Sequence, residues 1–237
     1  MRTAPGEGLT LRQAALVVGF AYLFNPVSYA EFSIYPKLVI PGNIQQTVAN
    51  IDANHGLFVL AMFCYLINFI EDIIIAWGLY ILLAPVNRAL SLLAAWFRLL
   101  YTAVAVVGAF NLATVYRMVT TPEYLANFGP TQFHAQIDLL LHTFRYNYAL
   151  GIGAIFSIHL ILIGYLIVRS GYIPWWLGIL LIVDGLGWAI NNLSPYLYPR
   201  VDLGFIWITF FGELIFMLWL LIRGWTLKEP GGGFAVR

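Results

Sequence analysis

Charged residues are scarce in this chain of 237 residues: Asp, Glu, Lys and Arg make up 10% of it, where a soluble domain carries about 25%. Lys and Arg number 12, Asp and Glu 11, for a formal net charge of +1. That balance offers neither the basic surface of a nucleic-acid binder nor an acidic tail. Cys64 is the sole cysteine, which excludes an intrachain disulfide and any multi-cysteine zinc or iron–sulfur centre. Set in an apolar run, it reads as a small core residue. No small-residue cleavage site follows the first apolar stretch before Asn25 and Pro26, so that stretch reads as a retained helix.

What is abundant is apolar surface, 61% hydrophobic residues with a mean hydropathy of +0.82. A spanning helix needs about 20 mostly apolar residues. Six stretches supply them: 10–32, 56–84, 89–118, 139–168, 173–197 and 203–223. The expected fold is all-α, an integral membrane bundle of six transmembrane helices, forming a single domain over 1–228 with a flexible tail at 229–237. Short turns at "APVNR" and "RSGYIP" join antiparallel neighbours. On the other side, "PGNIQQTVANIDANHG" has Asn43 as a helix cap and Ile44, Val48 and Ile51 on one face, which predicts a short interfacial helix. "TTPEYLANFGPTQFHAQID" reads as a second connection of that kind.

Basic residues set the expected orientation. Arg2, Arg12, Arg88, Arg169, Arg223, Lys228 and Arg237 fall at the ends and short turns, whereas the long connections hold only Lys37, Arg117 and Arg200. Both termini are therefore expected in the cytoplasm, with a bacterial cytoplasmic membrane as the location. Trp175, Trp176 and Trp225 suit the headgroup belt on that side.

Ionisable residues interrupt the spans at one level. Counted from the cytoplasmic end of each helix, Asp72, Arg98, His159, Asp184 and Glu213 lie nine to 12 residues in. At about 1.5 Å per residue that is roughly 14–18 Å, near the middle of a core about 30 Å thick. Glu71 shares the level but points about 100° away from Asp72, so one of the two is expected to face inward. Four carboxylates then meet one arginine and one histidine, leaving acids to be protonated, solvated or paired with a ligand. The competing reading is a hydrogen-bonded network, with Arg98 paired to Asp72 or Glu71, that only holds the helices together.

A second polar group lies toward the other end: Glu31, His142, Arg145 with Tyr146, Asn147 and Tyr148, and Asn191 and Asn192. These read as a candidate entrance, or as ordinary interface anchors. His142 and His159 lie 17 residues apart on one helix, about 25 Å, and cannot share an ion. No E-x-x-H or H-E-x-x-H pair occurs, and "GIGAIF" at 151–156 reads as close helix packing. No metal or cofactor is expected.

Four segments, "LVIPGN", "YILLAPVNRALSLLAAWFRLLYTA", "HLILIGYLIVRSGYIPWWLGILLIVDGLGW" and "GELIFMLWLLIRG", occur in an order that resembles the domain-of-unknown-function 4386 family of bacterial multi-pass membrane proteins. The resemblance implies six membrane helices and carries over no catalytic residue. The expected function is a mid-membrane polar cavity, lined by the five ionisable residues, that binds a lipid-soluble small molecule, as an enzyme on such a substrate would. The alternatives are a proton-coupled transporter and a structural or assembly protein without a ligand. Expected partners are membrane lipids and a hydrophobic small molecule, with no nucleic acid. Whether the chain is an enzyme, and its oligomeric state, are not legible.

Overall fold

The computed structural model describes residues 9–197 and 204–228, which are helical almost throughout and, as described, contain no strand. Six helical segments are long and apolar enough to cross a membrane: Leu11–Leu38, His55–Leu83, Arg88–Thr120, Pro122–Ser170, Trp175–Leu197 and Ile208–Thr226. The expected all-α membrane fold is thereby observed. Arg2, Arg200, Arg237 and the tail at 229–237 lie outside the described residues.

By internal contacts the chain divides into two compact units. One comprises Met1–Phe24, Asp72–Leu100 and Ile152–Arg237, the other Asn25–Glu71 and Tyr101–Gly151. In the first unit, Ala14, Ala15 and Val18 of the first span are fully buried, as is Leu220 of the sixth. Gly78 admits Val18 to a distance no side chain tolerates, a Cβ there meeting Cγ2 at 2.5 Å. The fourth and fifth spans touch backbone to backbone: a Cβ on Gly164 would lie 2.6 Å from the Gly178 carbonyl oxygen. Small residues at a crossing let membrane helices gain dispersion and weak hydrogen bonds at close range. Gly171, at φ +71°, ends the fourth span in the left-handed conformation, as glycine does at little cost. Tyr172 then donates to the Leu82 carbonyl at 2.5 Å.

In the second unit, the short helix Ile44–Ala53 forms where Asn43 was expected to cap it, Oδ1 accepting from the Gln46 N–H at 3.0 Å. Its buried face centres on Thr47 and Ile51. Thr47 anchors the preceding turn by accepting from the Ile40 N–H at 2.9 Å.

Two boundaries differ from expectation. The first span reaches Leu38 rather than residue 32, but as a broken helix. It stops at Leu23, restarts at Pro26, and passes through a wider π-turn at Ala30–Ile34. Proline has no N–H for the ladder and pushes the preceding residue out of helical geometry; Asn25 sits at φ −109°, ψ 84°. The fourth span begins at Pro122 rather than 139, so the second long connection is itself helical. Gly129 at φ +70° and Pro130 kink it without ending it, which local composition reads as a loop.

Candidate functional site: a buried polar network

The inward face of the second span carries Tyr65, Asn68, Asp72, Ala76 and Leu79, all buried. On the third, Ser91, Ala94 and Arg98 follow at helical spacing and are buried likewise. The spans thus present Asp72 and Arg98 within the first unit. Arg98 Nη2 and Nε both donate to Asp72 Oδ1, at 2.6 and 2.9 Å, and each residue is 4% exposed. A charge so buried survives only when paired and hydrogen-bonded.

From Arg98 the network branches. Nη1 donates to the Tyr22 hydroxyl at 2.9 Å and lies 3.3 Å from His159 Nε2. His159 Nδ1 is 2.8 Å from the Ala94 carbonyl oxygen. A carbonyl only accepts, so Nδ1 carries the hydrogen and Nε2 is left to accept from the guanidinium. Both ring nitrogens are occupied. Phe156 closes the π-turn Ile152–Phe156, stacks on His159 at 5.6 Å, and lies 5.1 Å below the guanidinium; the Tyr22 ring lies 5.2 Å from it. Guanidinium over an aromatic face is an added attraction where water is absent.

Tyr22 passes the connection on, donating to Glu213 Oε1 at 3.0 Å. The Glu213 backbone N–H in turn donates to Asp184 Oδ2 at 2.9 Å. Glu213 is the third residue of the helix Phe211–Arg223, whose first turn has no side-chain cap of its own. Asp184, fully buried on the fifth span, supplies that cap from a neighbouring helix, where the dipole favours negative charge. Gly212 permits the approach, since a Cβ there would meet Asp184 Oδ2 at 2.9 Å. The Trp188 side chain, one turn on, is within reach of the same carboxyl. Asp184 was expected to line a cavity with the others; its described bond is to the Glu213 backbone.

All five expected layer residues therefore lie in one unit, and a chain of contacts runs from Asp72 through Arg98, Tyr22 and Glu213 to Asp184. Tyr22 does not stand out in the sequence, because a tyrosine in a span is an ordinary residue type where an acid or an arginine is not. It stands twelve residues beyond Thr10, at the depth of the others. The expectation that only one of Asp72 and Glu71 faces inward is not met: Asp72 meets Arg98, and Glu71 is also buried, at 7% exposed. The buried arc of this helix also takes in Cys64, Phe69 and Ile75, so it is wide enough to cover two successive residues.

The candidate entrance residues are divided between the two units. Within the second unit, Arg145 Nη1 donates to both oxygens of Glu31 at 2.7 Å, Tyr65 donates to the same carboxylate, and the guanidinium covers the Tyr35 ring at 4.4 Å. His142 bonds within its own helix, Nδ1 lying 2.9 Å from the Asp138 carbonyl oxygen. Asn192 donates to the Trp188 carbonyl and Ser194 to that of Asn191, again along one helix. Among the described residues, no three His, Cys, Asp or Glu side chains gather as metal ligands would.

A family profile described as Domain of unknown function (DUF4386) matches residues 17–224. A protein of the archaeon Archaeoglobus fulgidus, named only as an uncharacterized protein, is 33% identical over 161 residues, covering 68% of this chain and 81% of the relative. No solved structure matches.

Proposed function

The chain belongs to the DUF4386 family, and from that premise we propose a multi-pass protein of a prokaryotic cytoplasmic membrane, both ends cytoplasmic, that binds a lipid-soluble small molecule beside Tyr22 and Glu213. The observation that carries this is a gradient of burial along the network. Asp72, Arg98, His159 and Asp184 are at most 4% exposed, whereas Tyr22 and Glu213 are half-buried. An acid open to hydrocarbon is costly, and a ligand offering a hydroxyl, phenol or amine donor would offset that cost. On this reading the Arg98 end is scaffold, its guanidinium held by Asp72, Tyr22 and His159, and the Glu213 end is the binding end.

The test is native mass spectrometry of the protein purified in mild detergent. Wild type carries a discrete small-molecule mass, and Glu213→Gln and Tyr22→Phe lose it while remaining folded. An empty wild type would sink the proposal and leave the network a structural one.

A proton-coupled carrier is the second reading, and the break after Leu23 favours it. Discontinuous membrane helices are where carriers place their sites, and this break begins one residue beyond Tyr22. Uptake into liposomes that follows an imposed pH gradient, and is absent from Glu213→Gln, would select it over simple binding.

A further inference from the structure

The second unit holds a half-open groove of about 290 Å³, walled by Met118, Leu140, Tyr124 and Phe128 and bearing Arg117 and Gln136. We propose that it seats the headgroup of an anionic membrane phospholipid, its phosphodiester on Arg117 and Gln136 and the start of its acyl chains on Met118 and Leu140.

Four observations converge on that occupant. Arg117 is exposed in the last turn of Arg88–Thr120, and among the described residues it makes no ion pair, whereas Arg98 and Arg145 each have an acid. A guanidinium left open matches a phosphodiester, which it can grip through two donors at once. Gln136 is exposed beside it and offers an amide donor. Apart from Thr114 the remaining walls are largely apolar, and Tyr124 and Phe128 stack nearly parallel, 6° apart with centroids at 6.4 Å, giving a flat side for the glycerol and first methylenes. Lastly, the groove adjoins the end of a spanning helix, the level at which lipid phosphates lie. Its size sits at the lower limit of about 300 Å³ for small-molecule pockets, so it holds the head of a lipid and leaves the tails in the bilayer. The kink at Gly129 and Pro130 gives the wall its shape, since Tyr124 and Phe128 precede it and Gln136 and Leu140 follow it.

The experiment is native mass spectrometry of the full chain titrated with phosphatidylglycerol or phosphatidylcholine of identical acyl chains. Wild type retains phosphatidylglycerol preferentially. Arg117→Gln lowers that retention about tenfold, the loss expected for hydrogen bonds to a charged group, and leaves phosphatidylcholine unchanged. Arg169→Gln removes the same charge from another exposed site and retains wild-type selectivity. Leu140→Trp, which fills the groove, also loses phosphatidylglycerol. Equal retention of the two lipids by wild type, or equal losses in the two arginine variants, overturns the proposal. So does displacement of phosphatidylglycerol by millimolar inorganic phosphate, which would make the groove a site for the free anion.

Discussion

Among the described residues, each of the two units contains one carboxylate–arginine pair, alike in chemistry and unlike in setting. The side chains of Arg98 and Asp72 are 4% and 6% exposed; those of Arg145 and Glu31 are 42% and 21% exposed. Both pairs are short and both guanidiniums lie over an aromatic ring. The difference lies in what a lost partner would face. Without Asp72 the Arg98 charge is stranded in a medium that cannot solvate it, so removal costs far more than the pair itself contributes. Without the Glu31 charge the Arg145 side chain can swing toward water, and a neutral acceptor at position 31 still serves the Tyr65 hydroxyl, so little is lost. The buried pair is an obligation of the fold; the exposed one is a tie that can be cut.

The sharpest break of this comparison is Asp72→Asn, expected to destabilise the protein by about 3–5 kcal/mol, the range for leaving one partner of a buried pair alone. The double variant Asp72→Leu with Arg98→Met should recover most of that, measured by unfolding in mixed detergent. If the double variant is no better than the single, the cost lies in packing and not in stranded charge. Next in size is Gly164→Leu, which drives a side chain into the Gly178 backbone and should cost at least the roughly 1–3 kcal/mol of an overpacked core. Its signature is a separated fourth and fifth span, read by cross-linking between cysteines placed at their ends.

Tyr22→Phe keeps the ring near Arg98 and removes the hydroxyl that joins Arg98 to Glu213. It should cost about 1–2 kcal/mol, a hydrogen bond to charged groups, together with the bound mass. Glu31→Gln should be the mildest, about 1 kcal/mol or less. A Glu31→Gln effect as large as that of Asp72→Asn would erase the distinction between the two pairs.

Much of this was legible beforehand, for identifiable reasons. An apolar run of about 20 residues reports a membrane span by itself. A fixed rise per residue turns spacing into depth, which is why Asp72, Arg98, His159 and Glu213 were placed at one level before any contact was known. Partnership was not legible. Asp184 shares that depth but is directed at the start of another helix, and nothing in its own span says so. Tyr22 carries no charge and resembles the interface tyrosines until Arg98 and Glu213 are seen on either side of it. The helical stretch from Pro122 reads as a loop because Gly129 and Pro130 are local signals, and the contacts that hold the chain helical across them are not.

From the sequence alone came the class of the molecule, the number of its spans, and a layer of ionisable groups at mid-span, because hydropathy and helical rise act within a single helix. The tertiary structure decided which way each helix is turned, and with it that Asp72 meets Arg98, that His159 is held as a hydrogen-bonding strut, and that Tyr22 joins Arg98 to Glu213. Those outcomes depend on which neighbour lies across each helix face, and a neighbour is a property of packing that no stretch of sequence carries by itself.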